Sequence, residues 1–168
     1  MGNWNATTLD GNSSNLPRKG RRIHAAGNWP PSAAGWGVAF VIHSGLPLRA
    51  FLVEDNEVIR ANLEDALAEL AHVEVVAFSG SALEASDWLA VHSGEWDLAV
   101  VDLFLTEGSG LTVLASCRVR DPGQRVAVLS NYATRDMRSR CKAFGADAVF
   151  DKSTELDEFI EFCLDRTM

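Results

Sequence analysis

The sequence predicts a doubly wound α/β sandwich over residues 48–168, and three observations carry that prediction. Short apolar runs of the kind that fill a strand buried on both faces recur five times. Each is followed by a segment whose apolar residues return at helical spacing. Right-handed crossovers between parallel strands place the intervening helices on both faces of the sheet, so five such units specify a parallel sheet covered on both sides.

Leu48-Arg49-Ala50-Phe51-Leu52-Val53 is the first strand. Val58, Ile59, Leu63, Leu67 and Leu70 mark the helix after it, with Glu57, Arg60, Glu64 and Glu69 on the other side. Residues 73–78 read as the second strand, and 81–92 as a helix with Ser81 as N-cap and Glu84 at capping-box distance. Leu98 to Val101 is the third strand, followed by a helix over 111–119. Asp121-Pro122-Gly123 turns the chain into a fourth strand, 126–129, and a helix over 134–144 ends at Gly145, a natural C′ residue. Residues 148–150 form the fifth strand and Glu155 to Asp165 the last helix.

Residues 1–47 differ in kind. They are rich in Gly, Asn, Ser and Pro, follow neither a helical nor a strand period, and read as a disordered leader or as the product of a translation start assigned too far upstream. Arg21-Arg22 before an apolar stretch resembles an export signal, but no small-residue cleavage site follows. The 168-residue chain carries 23 acidic and 15 basic residues, a net charge of −8. The leader holds four basic residues and one acidic, so residues 48–168 carry −11. That sign disfavours gripping a phosphate backbone, so no direct nucleic-acid partner is expected. Cys117, Cys141 and Cys163 form no C-x-x-C pair and read as packing residues of a reduced, cytoplasmic protein, and no apolar run is long enough to span a membrane. His24, His43, His72 and His92 are scattered and read neither as ligands nor as phosphodonors.

In open α/β sheets, ligands bind beyond the carboxyl ends of the strands. That rule selects Glu54 and Asp55 after the first strand, Asp102 after the third, Ser130 after the fourth and Lys152 two positions after the fifth. Three converging carboxylates repel one another unless a cation sits among them. Oxygen ligands without His or Cys favour a hard divalent ion, Mg²⁺ above all where phosphate supplies further oxygens. The lysine and the hydroxyl suit a transferred phosphoryl group, whose oxygens need positive charge and hydrogen-bond donors.

Glu54-Asp55, Asp102, Ser130 and Lys152, in this order and context, resemble the response regulator receiver domain of two-component signalling. The resemblance spans residues 48–168 and implies a flavodoxin-like sheet in the order 2-1-3-4-5. It implies that Asp102 is the phosphoacceptor, attacking the phosphohistidine of a sensor histidine kinase or histidine phosphotransfer protein, with at most self-phosphorylation from small donors and self-dephosphorylation as activities. It further implies that Asp55 binds Mg²⁺ directly, Glu54 through water, and the backbone carbonyl of Phe104 as another ligand, while Lys152 and Ser130 meet phosphoryl oxygens.

Three positions depart from the family pattern. Val149 stands three residues before Lys152, where an aromatic is usual, and the neighbouring Phe150 should face the opposite side of the strand. Ser153 follows the lysine in place of a proline in a cis bond, and Asn131 follows Ser130 where a small residue admits the donor. With the chain ending at Met168 after the last helix, a stand-alone receiver is expected, signalling by protein contact or in a phosphorelay. The basic segment 133–142 is a candidate docking face or a solvated helix face. The alternative, a Mg-dependent phosphatase of the haloacid dehalogenase type, needs a second Asp two residues after the nucleophile, where Phe104 stands. A flavodoxin-like cofactor binder would place phosphate against Glu54-Asp55-Asn56-Glu57, which repels it.

Overall fold

The computed structural model describes residues 45–165. Five strands, β1 (Leu48–Val53), β2 (Val73–Ser79), β3 (Leu98–Val101), β4 (Arg125–Ser130) and β5 (Ala148–Asp151), alternate with five helices. These are α1 (Glu57–Ala71), α2 (Ala82–Val91), α3 (Gly110–Ser116), α4 (Arg135–Ala143) and α5 (Leu156–Leu164). Every strand pairing is parallel, and the order is β2-β1-β3-β4-β5, as expected. The expected leader, 1–47, lies outside the described residues up to position 44.

Alternation along the strands divides the core in two. Phe51, Val53, Ala99, Val101, Val126 and Val128 pack with residues of α2, α3 and α4. Ala50, Leu52, Leu98, Val100, Ala127 and Leu129 pack with Leu63 and Leu67 of α1 and with Phe159 and Cys163 of α5. Val149 belongs to the first layer, while Phe150 turns to the second, where its ring meets Phe159 and Phe162. The three cysteines are buried packing residues, and burial pushes the Cys117 and Cys163 thiols up to about 12. Among the described residues no helix is long and apolar enough to cross a membrane.

The elements begin and end for local reasons. Asn56 caps α1 by accepting from the amides of Val58 and Ile59, and Thr134 caps α4 by accepting from Met137. Gly145, at φ +102°, follows the end of α4 in the left-handed region. Ser81 caps α2 through the Glu84 amide, but the reciprocal half of the capping box is replaced. The Ser81 amide donates to the Ser79 hydroxyl oxygen, and that hydroxyl donates both to the Ser81 carbonyl and to Glu84.

Three boundaries correct the sequence reading. The helix expected over 111–119 stops at Ser116, because the Cys117 amide donates to both Val113 and Leu114 and tightens the last turn. Val119, apolar but 95% exposed, had extended the apparent period. Strands β4 and β5 each run further than their apolar runs: β4 includes Ser130, and β5 includes Asp151, so Lys152 directly follows its strand.

Candidate functional site

The C-terminal ends of β1, β3, β4 and β5 bring all the expected side chains to one edge of the sheet. Parallel register sets the depth: Val53 of β1 pairs with Val101 of β3, so Glu54 and Asp102 follow at the same level. Carboxylate oxygens from Glu54, Asp55 and Asp102 lie within 4.8 Å of one another. Lys152 reaches them across the sheet, its Nζ donating to Glu54 Oε2 at 2.5 Å and to Asp102 Oδ2 at 2.8 Å. Glu54 is buried, only 2% exposed, and its carboxylate oxygens are met by that ammonium and by the Asn56 amide, which donates to Oε1.

Three carboxylates against one ammonium leave a formal −2 at the cluster, which a divalent cation would cancel. The donors are all oxygens, and ligands of an octahedral Mg²⁺ lie about 3–4 Å apart, so the residues present fit such an ion with small rotations. The Phe104 carbonyl belongs to the loop leaving β3, whose turn is fixed by the Phe104 amide donating to Asp102 Oδ1 at 3.3 Å.

Ser130 ends β4 fully buried, and its hydroxyl oxygen accepts from the Tyr132 amide at 3.4 Å. No hydrogen bond joins it to Asp102 among the described residues. Ser130 thus stands at the same edge as the carboxylates. The Lys152–Ser153 bond is trans, and Asn131 and the Tyr132 ring are exposed beside the site.

Residues the sequence did not single out complete the edge. Thr106, four positions after Asp102, donates from its amide to Asp55 Oδ2 at 2.8 Å and from its hydroxyl to the same oxygen. These bonds hold the Asp55 carboxyl below its ordinary range, the Thr106 hydroxyl being the largest cause. Gly110 opens α3 against the end of β3: a Cβ there would stand 2.1 Å from the Asp102 carbonyl oxygen, so no other residue fits. Gly108 adopts φ +93° and approaches Ala82, whose amide donates to the Glu107 carbonyl. The spacing Gly108-x-Gly110 after Asp102 was the available signal for this loop.

Arg138 of α4 also escaped the sequence reading, being one of several basic residues in a helix. Its Nε donates to the Ala133 carbonyl at 2.8 Å, Nη1 to the Val149 carbonyl, and Nη2 to Glu155 Oε2 at 2.6 Å. Glu155 accepts in turn from the Asp151 amide at 2.7 Å. The segment 133–142, expected as a docking or solvated face, thus spends one of its arginines inside the fold.

Against known proteins, the model of the response regulator receiver domain matches residues 50–163. The DNA-binding transcriptional activator DevR/DosR of Mycobacterium tuberculosis is 33% identical over 87 residues, covering 52% of this chain and 39% of its own. The chain spans between 32% and 54% of the length of the curated relatives it matches. The response regulator domain of Thermotoga maritima CheB superposes with a TM-score of 0.59 at 20% identity, over 70% of this chain and 96% of that one. A Burkholderia pseudomallei response regulator protein, solved with a phosphorylated aspartic acid, a calcium ion and citrate, has a TM-score of 0.59 at 24% identity, over 70% of this chain and 66% of its own.

Proposed function

Because the chain belongs to the response regulator receiver domain family, we propose that Asp102 accepts a phosphoryl group from the phosphohistidine of a sensor histidine kinase or histidine phosphotransfer protein. The observation that carries this reading is the Lys152 ammonium, bonded at once to Asp102 and to buried Glu54 beside Asp55. An Asp102 carboxylate oxygen attacks phosphorus, the P–N bond breaks, and the imidazole leaves with the bonding electron pair and is protonated. As the acyl phosphate forms, Lys152 exchanges its bond to Asp102 for one to a phosphoryl oxygen, and the Ser130 hydroxyl donates to another. Glu54, Asp55, Asp102 and the Phe104 carbonyl would hold Mg²⁺, with Asp55 as a direct ligand and Glu54 acting through water. The ion supplies positive charge to the phosphoryl oxygens.

Signal then leaves by protein contact or onward transfer of the phosphoryl group, in a cytoplasmic protein. Its fold belongs to a signalling domain, whereas DevR/DosR carries a DNA-binding activity as its name states. Incubation with a small acyl phosphate should label Asp102 in Mg²⁺, as read by mass spectrometry of the intact chain and its peptides. Asp102→Asn and excess chelator should each abolish the label. Full labelling in either arm would overturn the assignment.

A further inference from the structure

We infer that Thr106 is a positioning residue for cation binding, clamping the β3–α3 loop to Asp55 so that both sides of the acidic cluster stand assembled before a cation arrives. The inference rests on the reading of Glu54, Asp55, Asp102 and the Phe104 carbonyl as a magnesium site.

The cluster draws on two separate loops. Glu54 and Asp55 follow β1, whereas Asp102 and the Phe104 carbonyl belong to the loop after β3. Thr106 closes the gap with two donors on one acceptor, its amide and hydroxyl both meeting Asp55 Oδ2. Two donors on one oxygen hold Oδ2 in place, and with both bonds made a carboxylate oxygen of Asp55 still lies within 4.8 Å of those from Glu54 and Asp102. The clamp therefore orients Asp55 toward the cluster and does not withdraw it. Glu54 has its own support in the Asn56 amide and Lys152, and Asp102 in Lys152 and the Phe104 amide, so Thr106 is the corresponding support of Asp55. Partners that orient a metal ligand commonly change metal affinity by about 10–100-fold when lost. Loss of the hydroxyl alone, with the amide bond kept, belongs at the lower end of that range.

Thr106 is exposed, so its side chain can be changed without opening the core. Calorimetric titration of Mg²⁺ into the full chain should give Thr106→Val an affinity about tenfold below wild type, with Thr106→Ser, which keeps the hydroxyl, within about twofold. Melting in chelator should fall only slightly for Thr106→Val and not for Thr106→Ser, while the rise in melting temperature on adding Mg²⁺ should be smaller for Thr106→Val alone. Equal or tighter Mg²⁺ binding by Thr106→Val would overturn the inference and leave the site reading standing. A chelator melt lowered as much as the magnesium melt would also overturn it, as the mark of a purely structural bond. Failure of the wild-type chain to bind Mg²⁺ would refute the site reading itself and the inference with it.

Discussion

The two halves of the functional edge are built differently. On one side the Lys152 ammonium joins Glu54 and Asp102 by short, charge-assisted bonds, with a carboxylate oxygen of Asp55 within 4.8 Å of theirs. On the other, the buried Ser130 hydroxyl meets the Tyr132 amide of its own loop, and that loop is held by Arg138. The carboxylate half is thus assembled in advance, and its organisation serves binding and chemistry. On the proposed reading the hydroxyl half gains its partner when a phosphoryl group arrives, which makes it the half with something left to change. Val149, in the strand position where an aromatic is usual, gives its carbonyl to Arg138, so the connection from this loop to β5 runs through a guanidinium.

Removing the cation of the assembled half should produce the largest effect. Lys152→Ala leaves Glu54, 2% exposed, and Asp102 without their shared ammonium. Breaking a buried pair in this way costs about 3–5 kcal/mol. Denaturant unfolding in chelator should show a loss of that order, and millimolar Mg²⁺ should recover part of it by taking the ammonium's place. Labelling of Asp102 by a small acyl phosphate should slow by about 10²-fold or more. A variant as stable as wild type in chelator would mean that the carboxylate half is not held together by this charge.

The half that is assembled was also the more legible in sequence. A strand buried on both faces leaves a continuous apolar run, and the first polar residues beyond it must stand at the sheet's edge, which is how Glu54, Asp55 and Asp102 were found. Thr106 was not, because its place depends on how the loop after β3 folds back, through the φ of Gly108, the close approach of Gly110 to Asp102 and the Ala82–Glu107 bond. Arg138 was hidden for the opposite reason. Arg135, Arg138, Arg140 and Lys142 share one short helix, and a periodic pattern does not say which of them turns inward. Helix α3 was overextended because exposed Val119 looks like a core residue when read as sequence alone.

A smaller effect should separate chemistry from signalling in the half that changes. Ser130→Ala should still accept phosphate on Asp102, more slowly, because the carboxylate half is intact. It should lose most of the phosphorylation-dependent difference in amide hydrogen exchange across residues 131–144, since the bond that draws the loop toward the phosphoryl group is gone. The wild-type exchange difference in that variant would show that the change leaves the site by another route.

The smallest effect concerns the tether beneath that loop. The Arg138 guanidinium, with the Asp151 amide, holds the Glu155 carboxyl below its ordinary 4.5, while the nearby Asp151 charge opposes the shift. A carboxyl depressed on folding contributes stability above its unfolded value, and the contribution disappears as pH falls from 4.5 through the lower folded value. Both side chains are 32% exposed, so solvent screens the pair and it is worth about 0.2–1 kcal/mol. Glu155→Gln should therefore be less stable than wild type at pH 7 by that amount, and the gap should close as the medium is taken below that window. Labelling of Asp102 at pH 7 should match wild type, since Glu155 bonds none of the carboxylates Glu54, Asp55 and Asp102. A stability gap that stayed constant into acid would assign the contact to shape instead of charge. Slowed labelling would erase the separation between the halves, because the tether would then be supporting Lys152 and the carboxylates as well as the loop after β4.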